Sequence, residues 1–549
     1  MKEESVNTPI GINRVNIPDL GHLDGFSFEG GITQYGGIPY GSLKKRWTRA
    51  TLVTLWKDNY HDGTKLGPCV PVPLFGGEED GDVLTPVGQM PHFKSKFRFD
   101  EKNALVLNIA RPEVAGDTKI PVMVYIHGGS WMYGTSNLGI FDGVNLVKKS
   151  VEENMPILVV NFNYRVGIGG FLASQAIQED LEKDGLAGCG NFGLTDQLLA
   201  LEWVNKYISH FGGDKENVTI VGESAGGCSV SNHVFSNINP KVKRAVSMSG
   251  VCGTIPAFSK EWHEKEYQKV LAYFKIENDS LALEKLREIP ELELAQATKF
   301  IQNTPEATTG NPCVDGWYLS ENYNMARFKE PPSWLAGYMF GDTKDEGLIF
   351  KDFYKDLTYD NIIHHFENYL TKAEAESILE LYEVTESSRI ELLPGLMVKL
   401  MGDLAFVLPN YVLALESVGH ACQTFLYHFD ELSTIDNIFY GTSYHALDLL
   451  YLFGNRRDFN QSQKNLRSDF MMSFVKFVNG KEPWEAFNKR KKVMRFGPRP
   501  CSLSGGDLLD LEEDNMTRHY QRLDTLLGLP KVQLENFFLG LDSLTNQRN

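Results

Sequence analysis

Between residues 121 and 248 the chain alternates short apolar runs with stretches of helical spacing, and this rhythm constrains the fold more than any other feature. Pro121-Val122-Met123-Val124-Tyr125-Ile126, Ile157-Leu158-Val159-Val160, Val218-Thr219-Ile220-Val221 and Ala245-Val246-Ser247-Met248 are short and mostly rich in β-branched side chains. Between the second and third, Leu198, Leu201, Val204, Ile208 and Phe211 recur at helical spacing, with Thr195 as the expected N-cap and Gly212-Gly213 as the stop. Runs that are apolar along their whole length are strands buried on both faces, and strands separated by helices pair in parallel. The pattern predicts an α/β protein with a large, mostly parallel central sheet flanked by helices. Gly337-Tyr338-Met339-Phe340 and Thr424-Phe425-Leu426-Tyr427-His428-Phe429 extend that sheet, and helix-like stretches over 258–330 and 358–420 decorate one edge of it.

No repeat, low-complexity tract or linker divides the 549 residues, so a single domain over 1–549 is expected. Acidic residues number 71 against 54 basic ones, for a net charge of −17. Such a surface repels phosphate backbones, and no nucleic-acid partner is expected. No run approaches 18 apolar residues, so no transmembrane segment is predicted. Met1-Lys2-Glu3-Glu4-Ser5-Val6-Asn7 lacks the apolar core of a signal peptide. Cysteines at 69, 189, 228, 252, 313, 422 and 501 are odd in number, widely spaced and without C-x-x-C, which indicates neither a disulfide scaffold nor a zinc knuckle. His364 and His365 are adjacent on an amphipathic helical pattern and point to different sides, so no metal site is expected there.

The strongest chemical signal is Gly222-Glu223-Ser224-Ala225-Gly226, directly after the run at 218–221. A strand that feeds G-x-S-x-G and then a helix forms a nucleophile elbow, a strained turn in which neighbouring Cβ atoms would collide and the serine hydroxyl projects beyond the sheet. A serine nucleophile needs backbone N–H groups aimed at the developing oxyanion. His127-Gly128-Gly129-Ser130-Trp131 ends an earlier strand, and the N–H groups of Gly129, Ser130 and Ala225 are the expected donors. The serine also needs a base, and the base an orienting acid, in the chain order Ser, acid, His. His445 lies in a loop before an apolar helix-like run, where a base is expected to hang; Asp342, Asp345 and Glu346 all follow the strand ending at Phe340, and spacing alone does not choose among them. Gly188-Cys189-Gly190-Asn191-Phe192-Gly193 is formally G-x-G-x-x-G. It follows a charged stretch where a dinucleotide fingerprint needs a strand, so no cofactor is expected.

Taken in order, these motifs resemble the type-B carboxylesterase/lipase, or cholinesterase-like, branch of the α/β-hydrolases. The resemblance runs through Gly37-Ile38-Pro39-Tyr40, Leu107-Asn108, the His127 loop, Asn163-Tyr164-Arg165-Val166-Gly167, Gly190-Asn191-Phe192-Gly193-Leu194-Thr195-Asp196-Gln197, Phe211-Gly212-Gly213-Asp214, the elbow, Asp345-Glu346-Gly347 and His445-Ala446-Leu447-Asp448. It implies an α/β-hydrolase fold with helical insertions over the active-site edge. It also implies a catalytic triad of Ser224, Glu346 and His445, and a structural ion pair between Arg165 and Asp196. The implied activity is that of a serine carboxylesterase on small-molecule esters, through an acyl-enzyme and without cofactor. Acyl transfer or lactone processing by the same acyl-enzyme, and a catalytically silent binding role, are the alternatives; the oligomeric state stays open.

Three departures from the family pattern carry expectations. Ser130 stands where the family usually has a third glycine, which keeps an N–H donor and narrows the pocket. Cys69 resembles the first cysteine of a family disulfide whose partner position is Ala104, and Cys252 lacks a close downstream partner, since the next cysteine is Cys313. With no signal sequence, two missing disulfides fit a cytoplasmic location. The loop between Cys69 and Asn108, which in cholinesterases bears the tryptophan that holds the choline ammonium, contains no tryptophan. Uncharged esters are therefore the expected substrates. A histidine base at its ordinary pKa leads to activity that falls below about pH 6.5.

Overall fold

Val and Ile side chains that point alternately to opposite faces need cover on both sides, and the central strands receive it. The computed structural model describes residues 7–73, 90–93, 97–113, 118–302, 310–322, 330–456, 458–499 and 502–546. Twelve strands follow in chain order: β1 Gly11–Ile17, β2 Gly21–Phe28, β3 Ile32–Pro39, β4 Val106–Pro112, β5 Ile120–Ile126 and β6 Leu158–Phe162, then β7 Gly213–Glu223, β8 Arg244–Met248, β9 Gly337–Thr343, β10 Gln423–Phe429, β11 Lys492–Arg499 and β12 Ser502–Asp510. They form one sheet in the order β1-β2-β3-β4-β6-β5-β7-β8-β9-β10-β11-β12, with the short strand Tyr60–Asp62 beside β2. The pairings from β6 through β5 to β11 are parallel. The flanks, β1 to β4 with the β4–β6 pairing and β11 with β12, are antiparallel.

Along β7, Ile220 packs into a core with the helices Phe192–Tyr207 (α1) and Ala225–Phe235 (α2), and Val221 packs into the opposite core with Val144–Glu152, Leu447–Leu452 and Gln461–Val478. Burial on both faces is the physical content of the unbroken apolar runs. The antiparallel meander β1–β4 lies outside the alternating strand–helix rhythm; β2 and β3 each carry two glycines, and β2 has no β-branched side chain.

The helix expected to start at Thr195 begins at Phe192. Thr195 is buried one turn inside it, where its hydroxyl donates to Phe192 O at 3.0 Å. The N-cap is Asn191 at φ 59°, whose side chain caps nothing. It is bonded in both directions to the backbone of Cys313, at 2.8 Å each way. A distant segment decides this helix start. At the other end Gly212, at φ 83°, stops the helical segment as expected, after a 3-10 turn over Ile208–Phe211.

The helices Lys260–Tyr273, Ala282–Glu288 and Glu291–Gln302 lie between β8 and β9 in the chain, and those from Tyr359 to Glu416 between β9 and β10. The run Leu393–Glu416 is long and apolar enough to cross a bilayer, but 83% of its most apolar window is buried inside the protein, as in a core helix. It widens to an i→i+5 turn over Asp403–Val407.

Six cysteines are free thiols, and Cys501 lies outside the described residues. Cys69 Sγ accepts from Thr135 Oγ1 at 3.2 Å and Asn137 Nδ2 at 3.3 Å, and Ala104 is buried. Cys189 and Cys313 lie 3.6 Å apart between their sulfurs.

A buried charge cluster ties the C-terminal helices to the sheet. His428 Nδ1 meets Asp342 Oδ1 at 2.7 Å and its Nε2 meets Tyr520 Oη at 2.7 Å, while Tyr520 donates to Asp514 at 2.6 Å. Arg518 bridges Asp342 at 3.2 Å and Asp430 at 2.8 Å. Burial alone would lower the His428 pKa, but the charges of Asp342 and Asp514 outweigh it and raise the value to about 9. A pKa raised on folding contributes stability that is complete below the unfolded value, near 6.5, and is lost as pH rises through about 9. His428→Gln is therefore expected to lower the unfolding free energy by about 3 kcal/mol at pH 6 and by far less at pH 9.5. Denaturant midpoints of both proteins at the two pH values check this; equal losses at both would contradict it.

Candidate active site

Gly222 and Gly226 are obligatory at the elbow. A Cβ on Gly222 would lie 2.2 Å from Gly226 O, and one on Gly226 would lie 2.0 Å from Ile126 O. That crowding lets α2 leave directly from the end of β7, and Ser224 between them takes φ 56°, ψ −126°. This backbone costs about 1–3 kcal/mol for a non-glycine residue. The Ser224 N–H offsets part of it by donating to Met248 O at 2.9 Å.

The His127 loop lies over the elbow, since a Cβ on Gly128 would stand 3.0 Å from Ser224 Cβ. His127 is buried, stacked on Tyr164 with ring centres 4.4 Å apart, and held neutral by burial, which lowers its pKa to about 4. Gly129 has φ 105°, and Ser130 and Trp131 are left-handed at φ 53° and 55°. The family glycine replaced by Ser130 thus sits where glycine is the easy residue. The loop keeps its shape through Met132 N and Tyr133 N, both donating to Gly129 O, and through Gly167 N, which donates to Trp131 O at 2.6 Å. Beneath it, Arg165 forms a bidentate pair with Asp196 at 2.7 Å on each arm, fully buried, as the resemblance implied.

The three acids that spacing could not separate have three different surroundings. Asp342 serves the His428 cluster. Asp345 accepts from Ser443 N at 2.8 Å, and its own N–H donates to Ser443 O, which stitches the loop after β9 to the loop before His445. Glu346 alone of the three reaches His445, with Oε2 2.5 Å from Nδ1, while its Oε1 accepts from Thr343 N at 2.8 Å. Phe406, in the widened helical turn, packs its ring 5.0 Å from the imidazole.

One participant was not foreseen. Glu223 Oε1 lies 3.2 Å from His445 Nε2, the nitrogen that would face the serine. Among the described residues no hydrogen bond joins Ser224 Oγ to His445. Glu223 occupies a wildcard position of G-x-S-x-G, so the motif gave no signal of its reach. Burial alone would lower the His445 pKa, but the charges of Glu346 and Glu223 raise it to about 9. Asp448, buried with Tyr427 Oη at 3.0 Å, is raised to about 7 by burial and by the charge of Glu346. The expectation of an ordinary imidazole near 6.5 is therefore corrected upward. A base must be neutral to accept a proton, so the acid limb of kcat/KM is expected above pH 7. Glu223→Gln should move it down by about one pH unit. A wild-type limb at or below pH 6.5 would contradict this electrostatic reading.

No group of three or more His, Cys, Asp or Glu side chains among the described residues is arranged to hold a metal ion. The helix Gln175–Lys183, and not a strand, precedes the glycines at 188–193.

A central parallel sheet with a serine elbow at the end of its middle strand, and with acid and histidine on loops beyond later strands, defines an α/β-hydrolase. The carboxylesterase family profile matches residues 12–517, and the chain belongs to that family and is a carboxylic ester hydrolase. It is 28% identical to lipase 3 of Yarrowia lipolytica over 512 residues, covering 90% of this chain and 93% of that one. It is 26% identical to the para-nitrobenzyl esterase of Bacillus subtilis over 491 residues, covering 84% and 91%. Its fold superposes on a thermophilic PNB esterase structure with TM-score 0.73 at 23% identity, over 93% of this chain and 99% of that one.

Proposed function

We propose that this protein is a serine carboxylesterase of uncharged small or medium esters, working through an acyl-enzyme. Ser224 Oγ attacks the ester carbonyl and passes its proton to His445 Nε2. Glu346 accepts the hydrogen bond from Nδ1–H and stabilises the imidazolium. The N–H groups of Gly129, Ser130 and Ala225 hold the oxyanion. The alcohol leaves with the proton from His445, and water then hydrolyses the acyl-serine by the same steps in reverse. At rest Nε2 lies 3.2 Å from Glu223 Oε1; to act as base it takes up a hydrogen bond from Ser224 Oγ.

The observation that carries this reading is the Glu346–His445 contact at 2.5 Å, delivered by loops beyond β9 and β10 to the C-terminal edge of the sheet from which Ser224 projects. The Bacillus relative is named for a neutral aromatic ester, which supports the substrate class. The tryptophan-free loop supports it independently, although residues 74–89 and 94–96 of that loop lie outside the described residues. A desolvated cation–π contact contributes about 2 kcal/mol, a factor of about thirty in affinity. A series of p-nitrophenyl esters, with butyrylcholine against a neutral butyrate ester, tests the proposal. The neutral ester is expected to show the higher kcat/KM, and a clear preference for the choline ester would overturn the substrate assignment.

A further inference from the structure

Ser229 stands one turn after Ala225 on α2, and its hydroxyl is saturated. Trp131 Nε1 donates to Ser229 Oγ at 2.8 Å and Gln197 Nε2 donates to it at 3.0 Å, while Oγ itself donates to Ala225 O at 2.9 Å. A serine hydroxyl has two lone pairs and one proton. With both lone pairs taken, the proton goes to Ala225 O and the polarity of the junction is set. Behind it, Gln197 Oε1 accepts from His233 Nε2 at 2.8 Å, and His233 Nδ1 accepts from Tyr318 Oη at 2.9 Å. Burial lowers the His233 pKa to about 3, so the ring is neutral; with Gln197 Oε1 facing Nε2 and the Tyr318 hydroxyl facing Nδ1, its one proton belongs on Nε2. That tautomer turns the Gln197 amide so that its NH₂ faces Ser229. Trp131, Ser229, Gln197, His233 and Tyr318 are all fully buried.

We infer that Ser229 is a positioning residue that locks the two halves of the oxyanion hole to each other. One half is the positive-φ stretch Gly129-Ser130-Trp131, which carries the Gly129 and Ser130 N–H groups. The other is Ala225, the first residue of α2. They come from distant parts of the chain, and a single hydroxyl bonds the side chain of one and the carbonyl of the other. Oxyanion donors act only when they are aimed before charge develops, and a displacement of about 1 Å costs about 100-fold in rate. Because Ser229 does not touch substrate, its loss bears on the transition state and leaves ground-state binding alone. The inference rests on the serine-esterase reading.

The test compares Ser229→Ala, Ser229→Thr and Trp131→Phe with wild type on one neutral ester. It also measures affinity for a trifluoromethyl ketone, which forms a hemiketal oxyanion on the serine, and for the unreactive alcohol of the same chain. Ser229→Ala is expected to lower kcat by about 10–100-fold with KM within about threefold. Ketone affinity should fall in step with kcat/KM while alcohol affinity holds. The threonine variant, which keeps the hydroxyl, should recover most of the loss. If Ser229→Ala does not fold, Trp131→Phe carries the test, since it keeps an aromatic ring and orphans no buried donor. Unchanged kcat, or equal loss of ketone and alcohol affinity, would overturn the inference. Ser224→Ala separates the two levels: a dead Ser224→Ala beside a fully active Ser229→Ala rejects only the positioning role, whereas an active Ser224→Ala rejects the mechanism and the inference together.

Discussion

Ser224→Ala is expected to cut ester turnover by about 10⁴-fold or more, the loss that follows removal of a triad nucleophile, with no loss of stability. The hydroxyl makes no hydrogen bond among the described residues, so its removal orphans no partner. Its deletion at a half-buried elbow opens almost no cavity. The strained backbone at φ 56° is kept for the sake of that hydroxyl, and alanine inherits the strain without the chemistry. Turnover on p-nitrophenyl esters and a melting curve check both halves of the statement. A variant that folds normally and keeps a tenth of the activity would remove Ser224 from the mechanism.

The second large effect separates the acids. Glu346→Gln and His445→Ala are each expected to lower kcat by about 10³–10⁴-fold, because an amide in place of Glu346 favours the wrong imidazole tautomer. Asp345→Asn should cost about tenfold or less, since its carboxylate braces the Ser443 N–H at 2.8 Å and reaches no reacting atom. Asp342→Asn should act on stability, through His428 and Arg518, more than on the chemical step. Steady-state kinetics paired with denaturant titration of all four variants distinguish these outcomes. An active Glu346→Gln beside an inactive Asp345→Asn would shift the acid by one residue.

What could be read from the residues alone followed the length scale of the interactions involved. The parallel core was legible because each strand carries its burial on both faces as an unbroken apolar run, from Val122 to Ile126 and from Val218 to Val221. The elbow was legible because close backbone approach demands glycine at fixed offsets from Ser224. Arg165 and Asp196 meet as the family resemblance implied. Features set by distant partners were not legible. The start of α1 depends on Cys313, far along the chain, and Thr195 could not reveal that. The His428 cluster gathers residues 342, 428, 430, 514 and 518, none of which forms a motif with the others. Glu223 sits at a position where the motif permits any residue, and only folding brings its carboxylate to His445. The choice among Asp342, Asp345 and Glu346 came from resemblance, and their separate surroundings show why spacing was insufficient: three acids within five residues turn to three different partners.

Covalent trapping tests the central claim most directly. The protein is incubated with a serine-directed organophosphate to complete loss of turnover, digested, and the modified peptide is mapped by mass spectrometry. The account predicts one phosphoryl group per chain, on Ser224, with turnover lost in proportion to labelling. Complete inhibition with the label elsewhere, or full labelling of Ser224 with turnover retained, would contradict it.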